Sequence, residues 1–183
     1  MSLSLRQRAI RIILSFFLFL IPAPWAIAGK ASDTVSHLQE TILKIMKGGK
    51  ELGYTGRYKI ITPVIEQTHD LPVISRITVG RYWKKLTPEQ QTIFTNTFNK
   101  LSHATYAGRF NSYSGEQFSL ISEKSMKRNR KLVQTRFVKS DGEEIRFNYI
   151  LHQANDQWKI INIIVNGVSD LALKRVEYGS ILK

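Results

Sequence analysis

Between Lys131 and Val165 the chain alternates apolar and polar positions in three runs, Leu132–Lys139, Ile145–His152 and Trp158–Val165. Turn-forming residues separate them: Ser140-Asp141-Gly142, then Asn155-Asp156, with Asn166-Gly167 closing the set. Runs of about eight residues with period-two patterning, rich in β-branched and aromatic side chains and bounded by such turns, predict an antiparallel meander. One face of it carries Val133, Thr135 and Phe137, then Ile145, Phe147, Tyr149 and Leu151, then Trp158, Ile160, Asn162 and Ile164. That face is too apolar to stay in water, so it predicts a covering layer of helices. A shorter strand at Phe118–Ser122 comes first, and the basic segment Lys124–Lys131 reads as the loop that follows it.

The N-terminal half supplies the cover. Val35, Leu38, Ile42, Ile45 and Met46 recur at helical spacing after a Ser32-Asp33 cap, and Gly48-Gly49 ends or weakens that helix near Leu52. Tyr54 to Tyr58 reads as a connection. A second helix follows with Tyr58, Ile61, Val64, Ile65 and Thr68 on one side, Pro63 marking either its start or a kink. Asp70 caps a third, with Pro72 in its first turn and Ile74, Ile77 and Tyr82 along its buried side. Thr87-Pro88-Glu89-Gln90 is a capping box with proline at the first helical position. The helix it opens runs to about Phe110, lined by Phe94, Phe98, Leu101 and Thr105, and Asn111 to Gly115 is a loop. Ser169 caps a final helix containing Leu171, Ala172, Val176 and Tyr178. The order predicts an α+β fold: N-terminal helices on a curved four-stranded antiparallel sheet, then a C-terminal helix, in a single domain over residues 29–183. Such a layer of helices encloses either a filled core or a cavity, and the pattern does not separate the two.

Residues 1–28 change the picture of where this domain works. Arg6, Arg8 and Arg11 form a basic start, Ile12 to Ile21 is apolar, and Ala26-Ile27-Ala28 offers small residues for cleavage before Gly29. That is the three-part pattern of a secretory signal peptide cleaved near Ala28. An uncleaved anchor is the rival, but the run is short and Pro22 and Pro24 interrupt it. Removing the segment takes three basic and no acidic residues, so the formal charge of +13 falls to +10. The chain has no cysteine, which excludes disulfides, thiolate metal sites and a lipoprotein anchor. Export without disulfides fits a bacterial periplasm, where a basic surface meets anionic headgroups or an acidic protein rather than nucleic acid.

Little here supports catalysis. The four histidines are scattered, and His37 with Glu40 supplies two ligands where a metal site needs three or four. There is no Gly-x-Ser-x-Gly elbow, and Gly48-Gly49 and Gly53-x-x-Gly56 lack the Lys-Ser/Thr ending of a phosphate loop. A His152–Asp156 acid–base pair beside the sheet is the one enzymatic arrangement the pattern leaves open. The basic segment Lys124–Lys131 reads as a solvated loop first and as a docking site second.

Several stretches resemble the MlaC family, periplasmic phospholipid-shuttle proteins once grouped with toluene tolerance. They are Gly48-x-x-x-Leu52-Gly53-Tyr54-x-Gly56-Arg57-Tyr58, Gly80-Arg81-Tyr82-Trp83-Lys84-x-Leu86-Thr87-Pro88-Glu89-Gln90, Tyr106-Ala107-x-Arg109-Phe110, Tyr113-x-Gly115-Glu116-x-Phe118, and Gly167-Val168-Ser169-Asp170-Leu171-Ala172-Leu173-Lys174-Arg175-x-Glu177-Tyr178. The match is similar to the hopanoid-associated HpnM branch in particular and covers nearly all of residues 29–183. One departure stands in the last strand: the family's Trp-x-Ile-x-Asp is Trp158-Lys159-Ile160-Ile161-Asn162 here, which keeps the hydrogen-bonding shape and loses the charge.

The resemblance implies a Gram-negative periplasmic carrier, not an enzyme, that hides lipid tails in an internal cavity and serves outer-membrane lipid asymmetry. Its cargo would be a phospholipid or hopanoid-type lipid, with no cofactor. Its partners would be an inner-membrane lipid transporter complex and an outer-membrane lipoprotein complex, with transient contact to the membrane surface. The lining implied is Val133, Phe137, Phe147, Tyr149, Ile160 and Ile164 from the sheet, with Phe98, Leu101 and Phe110 opposite, and Arg81 and Arg109 for an anionic headgroup. The opposite sheet face is the alternative, because a one-residue slip inverts a strand. Against the carrier stand a small periplasmic enzyme and a ligand-free adaptor to a transport complex.

Overall fold

The computed structural model describes residues 29–182; the signal segment read over 1–28 lies outside them. The architecture is α+β, with helices α1 (Ala31–Thr68), α2 (Leu71–Val79) and α3 (Pro88–Arg109) ahead of an antiparallel sheet. The sheet runs β1 (Gln117–Met126), β2 (Arg130–Val138), β3 (Glu144–Ala154), β4 (Gln157–Val165) and β5 (Val168–Ser169), paired in chain order. Helix α4 (Asp170–Ile181) closes the chain. The fifth strand, absent from the pattern reading, is two residues long, too short for any periodicity. Among the described residues no helix is long and apolar enough to cross a membrane.

Turn chemistry sets the meander. Asn155 and Asp156 both take positive φ, as do Arg128 with Asn129 and Asn166 with Gly167, the condition for tight hairpins of the type I′ class. The first of these corrects the reading of Lys124–Lys131 as a loop: β1 runs on to Met126 and β2 starts at Arg130, so only the tip of the hairpin is turn. Strands β1 and β4 each carry one irregularity. Ile121 is the extra residue of β1 between the pairs Leu120↔Thr135 and Ser122↔Gln134, and Ile161 is the extra residue of β4 between Leu151↔Ile160 and Ile150↔Asn162.

The helices depart from the pattern reading at three joints. Helix α1 begins at Ala31, with the Asp33 carboxylate accepting from the Lys30 N–H at 3.0 Å. It then continues to Thr68, broken only at Gly49 (φ 36°) and Gly53 (φ 57°), in place of a Tyr54–Tyr58 connection. Pro63 neither starts nor stops it. The third predicted helix ends at Val79 because Gly80 turns to φ 58°, and Tyr82 belongs to a separate 3-10 helix, Gly80–Lys85. The predicted caps at Asp70, Thr87 and Ser169 each accept a first-turn N–H.

The filled core lies between α1 and the sheet. Val35, Leu38, Ile42, Ile45, Ile61 and Ile65 meet Val133, Leu151 and Ile160, all nearly fully buried. The break in α1 is secured by an arginine. Arg57 is buried, and its guanidinium donates to the Ala107 carbonyl at 2.9 Å in the last turn of α3 and to the Gly49 carbonyl at 2.8 Å. Both acceptors are carbonyls that a helix end leaves without a partner, where a cation is also favoured by the helix dipole.

Removing that clamp tests the account. Two hydrogen bonds from a charged donor contribute about 1.5–3 kcal/mol each, so Arg57→Ala should cost at least about 3 kcal/mol in urea unfolding. Arg57→Lys should restore less than half of the loss, since an ammonium cannot span two acceptors with a planar fork.

Candidate functional site

Between the sheet and the remaining helices the interior is open. A cavity of about 280 Å³ is bounded by α2, α3 and α4 above β3 and β4. Its wall is mostly hydrocarbon: Ile42 and Ile65 from α1, Leu71 and Ile74 from α2, Phe98 and Phe110 at α3, Phe147 and Tyr149 from β3. Ile160, Ile161, Ile163 and Val165 from β4 complete the floor, and Leu171 and Tyr178 of α4 the far side. Charged side chains stand only on the solvent side, where Arg109, Asp170, Lys174 and Glu177 border it. Lys174 is already paired with Asp170 at 2.7 Å, whereas among the described residues no carboxylate lies within ion-pair distance of Arg109.

Two polar chains are set into this apolar wall. At the α1–α2 joint, Thr68 Oγ1 donates to the Val64 carbonyl at 2.6 Å, so it can only accept from His69 Nδ1 at 2.9 Å. That leaves His69 Nε2 as an acceptor for the Tyr106 hydroxyl at 3.1 Å. The tautomer follows from the chain of donors, and it is the neutral one. Burial pushes the imidazole down to about 4, helped by the positive charge of Lys159 nearby, and burial likewise pushes the Tyr106 hydroxyl up. Beside the cavity, in the layer between α1 and the sheet, Gln39 Nε2 donates to Thr135 Oγ1 at 2.8 Å and to the Tyr149 hydroxyl at 3.2 Å, tying α1 to the sheet. Tyr149 is pushed up to about 12, again mainly by burial. All these groups are neutral near pH 7, so the wall holds no net charge.

The α1–α2 joint also holds the helices to the sheet. Strand β5 pairs only with Ile164 and Val165, leaving the rest of β4 with an open edge. His69 bridges to Ile160 in parallel, the Asp70 N–H donates to the Ile160 carbonyl at 3.0 Å, and Thr34 Oγ1 donates to the Trp158 carbonyl at 3.1 Å. Asp70 then uses one carboxylate oxygen to cap α2 through the Val73 N–H and the other to accept from His152 Nε2 at 2.8 Å. The acid–base pair read as His152–Asp156 is therefore corrected: His152 is committed to Asp70, and Asp156 sits in the hairpin turn at φ 59°. Among the described residues no group of three or more histidine or carboxylate side chains could hold a metal.

Of the residues singled out from sequence, Phe98, Leu101, Phe110, Phe147, Tyr149, Ile160 and Arg109 come together around this cavity. Four do not. Val133 is sealed in the filled core beneath α1. Phe137 is held off the cavity by Phe118 and Phe147, its ring centroid 4.7 Å from the first and 6.3 Å from the second. Ile164 is turned to the other face, because the extra residue Ile161 shifts the phase of β4 and brings Ile163 and Val165 opposite Tyr149 and Phe147. Arg81 lies outside, in a separate cleft beside α4.

Pattern reading missed His69 and Tyr106 as cavity residues, and the helix α4 side chains Lys174 and Glu177. A histidine next to a capping aspartate carries no signal of its own until the sheet edge is placed against it. Asn162, where the resemblance leads one to expect aspartate, accepts from the Ser169 hydroxyl at 3.0 Å; Ser169 in turn caps α4. An amide oxygen serves that contact as well as a carboxylate would.

Comparison with known proteins agrees with this geometry. The family model described as MlaC protein matches residues 36–183. Toluene tolerance protein ttg2D of Pseudomonas putida is 24% identical over 189 residues, spanning 99% of this chain and 84% of that protein. Among solved structures, the phospholipid-binding protein of Ralstonia solanacearum, determined in complex with a phospholipid, superposes with a TM-score of 0.71 at 21% identity. The superposition covers 84% of this chain and 88% of that one, and establishes a shared fold.

The buried imidazole gives a pH signature. The unfolded histidine titrates near 6.5 and the folded one near 4, so between these values the unfolded chain binds more protons and stability falls as pH drops. The shift caps this contribution at about 3 kcal/mol. His69→Gln should flatten the fall in unfolding free energy between pH 7 and pH 4.5 relative to the unaltered protein; parallel profiles would show that His69 is not its source.

Proposed function

The chain belongs to the MlaC family, and from that premise we propose that it is a periplasmic carrier for a phospholipid or hopanoid-type lipid. The carrying observation is the apolar cavity over β3 and β4, with charge confined to its solvent side. Proteins of this family bind phospholipid and act as carriers rather than enzymes, and no catalytic residue or cofactor is assigned here. Lipid is the cargo, acyl or polycyclic chain inward. Phe98, Phe110, Phe147, Tyr149 and Ile160 contact it, Leu101 edges the mouth, and Arg109 meets an anionic headgroup. Signal cleavage near Ala28 delivers the protein to the periplasm.

Energetics favour such a vehicle. Each buried methylene is worth about 0.8 kcal/mol, so a tail of about sixteen carbons gains roughly 12 kcal/mol when shielded from water. A free lipid meets that cost on leaving a membrane; a carrier needs only to match the membrane's affinity. The cavity, about 280 Å³, is at the lower edge of the range usual for small-molecule sites, about 300–1,000 Å³. Loading therefore goes with widening. Helix α4 is the wall suited to move, since none of its residues is fully buried. Shuttling between inner and outer membranes then involves an inner-membrane transporter complex at one end and an outer-membrane lipoprotein complex at the other. A ligand-free adaptor would have no use for an open apolar interior.

Mass spectrometry of an organic extract from detergent-free protein purified from its own host tests the reading. A stoichiometric lipid is expected, and its mass separates phospholipid from hopanoid. Phe147→Glu places a charge in the cavity wall and should abolish lipid retention in a chain that still folds by circular dichroism. Unchanged lipid in that folded variant would remove Phe147 from the binding wall.

A further inference from the structure

Helix α4 presents apolar side chains to water. Leu173 is 58% exposed, Val176 73% and Ile181 75%, while Leu171 and Tyr178 are turned to the cavity and Lys174 and Glu177 border it on its solvent side. A helix that only covered a core would carry polar side chains at those exposed positions. Beside Val176 lies a cleft of about 390 Å³ between α4 and the 3-10 helix, bordered by Gly80, Arg81, Tyr82 and Arg175. Its cations have no acidic partner: among the described residues no carboxylate is within ion-pair distance of Arg81 or Arg175, and the Arg81 guanidinium donates only to the neighbouring Tyr82 hydroxyl, at 3.1 Å. The Arg175 guanidinium lies so close to Gly80 that a Cβ there would stand 3.3 Å from its Nε. Arg81 and Lys85 both lie over the Tyr82 ring, 5.1 and 5.4 Å from its centroid, and Lys84 continues the same turn.

We propose that this face, the outer side of α4 with the Arg81–Arg175 cleft, docks the protein on an anionic phospholipid bilayer. The inference rests on the carrier reading and names the surface through which the carrier meets a membrane. Charge complementarity selects the occupant. Unpaired cations flanking exposed aliphatic side chains on a helix match phosphates above hydrocarbon, the arrangement by which amphipathic helices lie in a bilayer interface. An aromatic residue held by two cations sits where ring and headgroup meet. The consequence is mechanical: the same helix forms the cavity wall through Leu171, Lys174 and Tyr178, so seating its outer side in the headgroup layer brings the mouth to the level from which a tail is drawn. The other basic surface, the hairpin tip at Lys127 and Arg128, has no such link to the cavity.

Vesicle flotation of the full protein decides it, using phosphatidylcholine alone and phosphatidylcholine mixed with phosphatidylglycerol. Binding is expected only to the mixed vesicles and should weaken with added salt. Arg175→Glu combined with Val176→Asp should lower the bound fraction about tenfold, with the circular dichroism spectrum and the extracted lipid unchanged. Lys127→Glu with Arg128→Glu should float like the unaltered protein. No flotation on mixed vesicles, undiminished flotation of the α4 variant, or loss only in the hairpin variant would each overturn the proposal; the second would point to an acidic protein as the partner of this face. Absence of extracted lipid from the unaltered protein would instead count against the carrier reading, whatever the flotation result.

Discussion

The open edge of β4 is the constraint on which the rest of this structure turns. A strand with unpaired carbonyls along an open edge invites either pairing with another chain or collapse of the neighbouring helices onto it. Here β5 covers one end of that edge, and the α1–α2 joint covers the other through the Asp70 N–H and the His69 bridge at Ile160. Backbone hydrogen bonds fix the spacing in a way that side-chain packing alone would not. The helices are therefore anchored at their ends, and the span between anchors is free to stand off the sheet. The result is a cavity in a protein whose other half is densely filled.

Polarity inside that cavity is handled by neutral groups arranged in chains. Thr68, His69 and Tyr106 satisfy one another, as do Gln39, Thr135 and Tyr149. A buried ion would have opposed an apolar cargo, because its desolvation is costly whether or not cargo is present. Burial itself keeps the histidine neutral by depressing its proton affinity. Ionised groups appear where water is available to them, at Arg109, Asp170, Lys174 and Glu177. Wall and mouth thus differ in polarity as the two halves of an amphiphile do.

The least buried of the α-helices is the C-terminal one. Its start is well specified: Ser169 caps it, Asn162 holds the Ser169 hydroxyl and Lys174 pairs with Asp170. Beyond that it contributes only partly buried side chains, among them Tyr178 edge-on to Phe94 with centroids 6.0 Å apart. An element joined by a firm hinge and held by few buried contacts is drawn from the low-stability end of a fold. That is the property a wall must have if the space behind it is to change.

Sequence by itself determined most of the elements, though not the continuity of α1, the full length of β1 or the short β5. Period-two runs and Asn-Asp and Asn-Gly turns fixed three strands, the Thr87 capping box fixed α3, and Asp70 and Ser169 marked two further helix starts, because each signal acts over a few residues of local geometry. It also placed Phe98, Phe110, Phe147, Tyr149 and Ile160 on faces that meet. Only the tertiary structure decided the rest. One extra residue at Ile161 exchanged Ile164 for Ile163 and Val165, since a strand's phase past a bulge depends on its neighbour's register. Gly80 parted Arg81 from the cavity by ending α2. Whether the layers closed into a core or stood apart around a cavity depended on where β4's edge found its hydrogen bonds, a contact between His69–Asp70 and Ile160 across some ninety positions of chain that no local pattern encodes.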